Sequence, residues 1–303
     1  MSGFEARSGK AVAQLDAGQR ISGGVGAGAG LVLVGTSKGE VLAFDRDGKQ
    51  AWKAQLGGQV LAPPAAQDGT VVARAGDGNI YGLDAASGKR KWIYQRATPA
   101  LSLRTHAGVV LHRGGVFAGF PGGNLVALSL QTGGVGWEAA VAVPRGATEL
   151  ERVADITSLP VVDGQQVCAA AYQGRVACFD IARGTTLWSR EVSSLSGIGV
   201  ETRYLYVTDV KSAVLAFDKA NGANIWRQDK LAGRGVSTPL AFGRYAVVGD
   251  YQGYVHLLAR EDGSFAARIA TDGSPIIAPP VALDLTSFLV QTRNGGVFAI
   301  TVQ

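Results

Sequence analysis

Residues 78–92 read GNIYGLDAASGKRKW, and variants of this phrase recur along the whole chain. They are GEVLAFDRDGKQAW (39–52), GNLVALSLQTGGVGW (123–137), GRVACFDIARGTTLW (174–188), SAVLAFDKANGANIW (212–226), GYVHLLAREDGSFAA (253–267) and GGVFAITV (295–302). Positions equivalent to Asp45 fall at 45, 84, 129, 180, 218, 259 and 301, with steps of 39, 45, 51, 38, 41 and 42 residues. A period of that size means a repeat architecture, and the content of one repeat decides which kind.

One repeat reads as four short strands. In LAPPAAQDGTVVARAGDGNIYGLDAASGKRKW a first strand around Ala62 ends at the turn Asp68-Gly69, and a second covers Thr70 to Ala75. A third spans Asn79 to Asp84 after the Asp77-Gly78 turn, and a fourth, after Ser87-Gly88, ends at Trp92. Gly and Asp-Gly supply the positive φ angles of tight hairpins, and the strand interiors are aliphatic, aromatic or β-branched. No stretch keeps a helical period between these turns. Four antiparallel strands per forty-odd residues predict an all-β fold, a β-propeller of four-stranded blades. The Trp closing five repeats (Trp52, Trp92, Trp137, Trp188, Trp226) is placed to be buried against the neighbouring blade; the sixth repeat has Ala267 there, with the anchor missing or replaced by Phe265.

The N-terminal Glu5-Ala-Arg-Ser-Gly-Lys aligns with Asp84-Ala-Ala-Ser-Gly-Lys, so the chain starts inside a blade. Ala11–Leu15 is then an orphan fourth strand beside seven sets of the first three. Either it completes the last blade and closes a seven-bladed ring, or sequence precedes it. The expectation is one propeller domain over 1–303 with its first blade incomplete.

Composition narrows the function classes. A net charge of +5, from 29 basic and 24 acidic residues, is modest and dispersed. The densest basic run, Lys89, Arg90, Lys91 and Arg96, lies on a turn and strand common to all repeats, which argues against nucleic-acid binding. No apolar run approaches the roughly eighteen residues of a membrane span. The three histidines, His106, His112 and His256, lack metal-type spacing. GGVGAGAG (23–30) precedes a strand rather than a helix, so it fails as a dinucleotide loop. Neither a catalytic constellation nor a cofactor or metal motif emerges.

Cys168 and Cys178 share one hairpin, VCAAAYQGRVACFD. A three-residue loop at Tyr172-Gln173-Gly174, with Gly174 in the left-handed position, sets the two cysteines opposite each other. That register admits a cross-strand disulfide in an oxidising compartment, or two buried thiols. A shift of one residue puts them on opposite faces.

The two longest steps flank the same blade, and their surplus lies in the connectors YQRATPALSLRTHAG (94–108) and VAVPRGATELERVADITSLP (141–160). Such connectors emerge on one face and are neighbours. They offer Leu101, Leu103 and Arg104, then Arg145, Glu149, Glu151, Arg152 and Asp155. Alternating leucines beside charges make a docking patch, or else the leucines start a buried strand and the charges are solvated.

The blades are similar to PQQ-like repeats. With TPALSLR (98–104), ATELERVADITSLP (147–160), YQGRVACFD (172–180) and VVGDYQGYVHLL (247–258), the chain resembles the BamB family, propeller lipoproteins of the bacterial outer-membrane protein assembly (BAM) complex. The resemblance implies eight blades, no enzymatic activity and no cofactor. It also implies residence on the periplasmic side of the outer membrane through an N-terminal lipidated cysteine absent from this chain. As partners it implies the periplasmic domains of BamA, other subunits of the complex and unfolded outer-membrane clients. The family's partner-binding positions correspond to Leu101, Leu103, Arg104 and Asp155, and its second acid is Thr157 here. Two other classes compete: a PQQ-dependent dehydrogenase-like enzyme, which needs calcium, a catalytic acid and a vicinal Cys-Cys, and a propeller sensor or docking domain of a larger protein.

Overall fold

The computed structural model describes residues 1–6, 8–99, 101–103 and 107–302, and every regular element among them is a strand. The strands form successive antiparallel meanders within two compact units, Met1–Pro160 and Val161–Gln303. The first unit holds a two-stranded sheet (Ser2–Phe4 with Ala11–Gln14) and three four-stranded blades, here numbered 1 (residues 21–55), 2 (65–94) and 3 (110–140). The second unit holds blades 4 (161–191), 5 (197–228) and 6 (240–270), then a three-stranded sheet over 281–301.

Hairpin chemistry follows the sequence closely. Asp68 and Gly69 both take positive φ (47° and 71°), the type I′ geometry that suits a two-residue hairpin between Gln67 and Thr70. The repeat's Asp is there because its carboxylate organises the turn to the fourth strand: Asp84 Oδ1 accepts from the Ser87 N–H at 2.9 Å and the Ser87 hydroxyl at 2.7 Å. Those hydrogen bonds hold the Asp84 carboxyl below its usual pKa. The first strand of blade 2 is Ala65–Gln67, later than the predicted strand around Ala62. Pro63 and Pro64 explain the delay, since neither carries an N–H for a ladder.

Glu5 repeats the Asp84 turn: its N–H reaches the Lys10 carbonyl at 2.8 Å and the Gly9 N–H returns to the Glu5 carbonyl at 2.9 Å. Ala11–Gln14 is therefore a fourth strand as predicted, but not an orphan. It pairs with Ser2–Phe4, because residues 2–4 supply the third strand that the turn requires.

Packing explains why strand interiors are apolar throughout. Leu33, Val41 and Trp52 of blade 1 cluster with Val71, Ala73 and Leu83 of blade 2, whereas the alternate residue Val72 joins Val116 and Val126 of blade 3. Each middle strand thus buries both its faces, one toward each neighbour. The outer-strand Trp fixes the contact. Trp52 Nε1 donates to the Ala85 carbonyl at 2.8 Å, Trp92 to Leu130 at 2.9 Å, Trp188 to Lys219 at 2.7 Å and Trp226 to Arg260 at 2.7 Å. Each acceptor lies in the next blade, at the turn whose glycine (Gly88, Gly133, Gly222 or Gly263) has φ near 70°. That glycine also underlies the ring: a Cβ on Gly88 would lie 2.5 Å from Trp52, and one on Gly263 2.5 Å from Trp226.

The strand opposite each Trp carries a small residue: Ala43, Gly82, Ala127, Cys178 and Ala216. Blade 6 inverts the sizes, pairing buried Leu257 with Ala267. Phe265 does not replace the anchor; it is 41% exposed and stands edge-on to His256, because its register places it opposite Leu258.

Trp226→Phe is expected to lose about 1 kcal/mol of unfolding free energy, for the missing indole hydrogen bond. Trp226→Ala is expected to lose about 3–5 kcal/mol, measured in urea, for the cavity as well.

Candidate functional site

The surplus residues do fall in the two connectors: blade 2 ends at Tyr94 and blade 3 begins at Val110, while blade 3 ends at Ala140 and blade 4 begins at Val161. The connectors meet at Asp155. Its Oδ2 accepts from the Leu103 backbone N–H at 2.6 Å, and its Oδ1 from the Gly122 N–H at 3.0 Å. At 1% exposure, Asp155 braces the first connector from beneath. The next residue, Ile156, is 1% exposed and packs onto Gly119, where any Cβ would collide with it. Its N–H reaches the Phe120 carbonyl at 3.3 Å.

A half-buried cation completes the brace. Arg74 Nη1 donates to the Gly119 carbonyl at 2.6 Å and to Ala107 at 3.3 Å, with its guanidinium 4.8 Å above the Phe120 ring. Burial lowers its pKa to about 10, partly offset by the Asp155 charge, so it stays protonated at neutral pH. Arg96 lies 5.4 Å from the same ring and pairs with Glu138 at 2.6 Å, which raises its pKa above the usual value.

Over this base lies a cavity of about 420 Å³, lined among others by Leu61, Arg74, Thr98, Ser102, Leu103 and Pro121. Leu101 is 44% exposed, Leu103 is half-buried, and Thr157 is half-buried on the second connector. Leu150 and Leu159 add exposed apolar side chains there. Arg104 and His106 lie outside the described residues. Of the five residues expected from sequence, the structure thus joins Leu103 to Asp155 directly and places Leu101 two residues away along the same loop.

Arg74 escaped sequence reasoning, and so did the local role of Glu151, which was read only as a charge of the second connector. Arg74 stands where the equivalent positions of the other blades are Gly35, Gly119, Ala170, Thr208 and Gly249, and a charge inside an apolar strand was the available signal. Thr148 and Glu151 form a reciprocal cap: Glu151 Oε2 accepts from Ala147 N at 2.8 Å and Thr148 N at 3.1 Å, and Glu151 N donates to Thr148 Oγ1 at 3.3 Å. Thr-x-x-Glu is the spacing that announces such a cap. These bonds hold the Glu151 carboxyl below its usual pKa.

Cys168 stands directly opposite Cys178, with their sulfurs joined in a disulfide and Cα atoms 4.1 Å apart. The three-residue loop is as expected, but Gln173 (φ 48°) and not Gly174 takes the left-handed position. The pair lies in the cluster around Trp188.

The geometry describes a PQQ-type β-propeller carrying a braced pair of irregular connectors. The chain matches the family described as outer membrane protein assembly factor BamB over residues 1–228 and 210–303. It is 48% identical over 297 residues to BamB of Nitrosomonas eutropha, covering 98% of this chain and 72% of that relative. It is 42% identical over 298 residues to BamB of Bordetella pertussis, covering 98% and 77%. The crystal structure of BamB from Moraxella catarrhalis superposes with a TM-score of 0.92 at 29% identity, covering 99% of this chain and 90% of that one. A quinohemoprotein alcohol dehydrogenase from Pseudomonas putida shares the fold alone, with a TM-score of 0.72 at 14% identity over 90% and 62% of the two chains. The chain belongs to the BamB family of outer membrane protein assembly factors.

Asp155→Ala should free the Leu103 segment, so that limited proteolysis cuts within 94–108 sooner than in the native chain while blades 4–6 resist. Non-reducing peptide mapping should recover Cys168 and Cys178 in one linked peptide. Replacing both by Ala should lower stability by about 2–3 kcal/mol, the loop-entropy value for so short a ring.

Proposed function

We propose that the protein is a non-enzymatic scaffold of the machinery that assembles outer-membrane β-barrel proteins, held on the periplasmic side of that membrane. There it binds the periplasmic domains of BamA, and other subunits of the complex gather around the pair. The relatives named as outer membrane protein assembly factors support the process. The disulfide fits an oxidising compartment. The dehydrogenase-like reading rests on fold likeness alone, and Cys168 and Cys178 are ten residues apart rather than vicinal.

The observation that carries the docking site is the Asp155 brace. It fixes the backbone at Leu103, and it does so from a buried position. Leu101 and Leu103 then supply the apolar anchors that seat on the partner, Arg104 supplies charge registration, and Asp155 pre-orders the loop they stand on. Thr157, where the family has a second acid, adds no charge. Ordering the loop in advance removes part of the entropy cost of association. Exposed blade edges offer a second mode, strand addition by an extended client chain.

Replacing Leu101, Leu103 and Arg104 by Ala should abolish co-purification with BamA while the circular dichroism spectrum and melting temperature stay native. Undiminished binding by the triple variant would overturn this assignment.

A further inference from the structure

The cavity over the Asp155 brace has one charged side chain in its lining among the described residues, Arg74. Both Nη1 hydrogens are engaged by backbone carbonyls, Gly119 at 2.6 Å and Ala107 at 3.3 Å. Nε and Nη2 donate to no group among the described residues, and both atoms reach solvent. Asp155 acts on the guanidinium only through its charge, while its two oxygens accept from the Leu103 and Gly122 N–H groups. The Phe120 ring, 4.8 Å from the guanidinium carbon, covers one face of the plane. The edge that the protein leaves free is therefore the edge that an entering group can meet.

The chemistry of that edge selects the ligand. Nε–H and one Nη2–H run parallel at the spacing of two carboxylate oxygens, so the edge accommodates a carboxylate in two hydrogen bonds. A single neutral carbonyl oxygen does not match both donors with the same strength. A phosphate dianion brings a second negative charge that no other cation in the lining answers, and the Asp155 carboxylate repels it. At about 420 Å³ the cavity admits a whole side chain, and Leu103 of the first connector lines it as well. A group that enters here is thus in contact with the segment that Asp155 holds in place.

We propose that this cavity receives an acidic side chain of the docked partner, its carboxylate bridging Arg74 Nε and Nη2 while Leu101 and Leu103 seat on apolar surface beside it. The inference rests on the docking reading above and adds the chemical class of the group that enters. Arg74 then serves two ends: Nη1 ties down the loop backbone, and the opposite edge selects an acid. A partner offering an apolar or basic side chain at this point strips water from the guanidinium without replacing it, which weakens the complex.

In NMR spectra of isotope-labelled protein the Arg74 Nε–H resonance is identified as the one missing from Arg74→Lys. Adding the periplasmic domains of BamA should move it to lower field and slow its exchange with water, and the Leu103 backbone amide should shift in the same spectra. An unmoved Arg74 signal beside a shifted Leu103 amide would overturn the proposal and leave the docking site standing. If neither moves, the docking reading fails and this inference falls with it. Arg74→Gln should bind the same domains about tenfold more weakly, as for one charge-assisted pair; equal affinity would overturn the proposal. Arg74→Lys, treated with a carbodiimide in the complex, should become joined through position 74 to an Asp or Glu of the partner, a product that a purely structural arginine does not predict. A complex that forms without that link would count against the acid and overturn the proposal.

Discussion

An indole N–H donated to a backbone carbonyl of the following blade is the contact on which the rest of the molecule depends. A single blade is a four-stranded meander with two apolar faces and cannot bury either alone. The Trp solves this at four junctions, blade 1 to 2, 2 to 3, 4 to 5 and 5 to 6: its ring closes the outer edge of the shared cluster, while its N–H satisfies a carbonyl at the next turn. The geometry leaves room for only glycine beneath the ring, and the same glycine supplies the positive φ of the turn. Three residues of the repeated phrase, the turn-forming Asp, the Gly and the Trp, therefore belong to one contact rather than to three separate preferences.

That unity is why the blades were legible from sequence. Type I′ turns such as Asp68-Gly69, the Asp84 turn and its echo at Glu5 all rest on local chemistry that three or four letters encode. The register that set Cys168 opposite Cys178 followed from loop length alone. What sequence did not reveal depended on distant partners. Phe265 looked like a substitute anchor because letters near Ala267 were compared, whereas the compensation lies across the strand at Leu257. The start of blade 2 slipped because two prolines displaced the first ladder bond.

The two long connectors show the same division. Their existence was readable as surplus length, and the candidate leucines as alternation. The burial of Asp155 was not, since an acid in a polar segment reads as solvated until Leu103 and Gly122 are seen to donate to it. Its counterpart Arg74 comes from a strand some eighty residues earlier and shares with it the task of keeping two long loops in one arrangement. Each charge is held by backbone groups rather than by the other, Arg74 by the Gly119 and Ala107 carbonyls and Asp155 by the Leu103 and Gly122 N–H groups, so the two fix loop geometry from opposite sides. On the docking role proposed above, the loop carrying Leu101 and Leu103 is a natural place for such a device.

The ring of Trp226 on Gly263, like its equivalents, also separates what can vary from what cannot. Any residue inserted between the third and fourth strands would lift the turn off the indole, so drift in length is blocked there. The links from fourth to first strand carry no such restraint and absorb insertions freely. In evolutionary terms the blades act as a fixed frame, and new binding properties can be acquired by lengthening a connector without renegotiating the core.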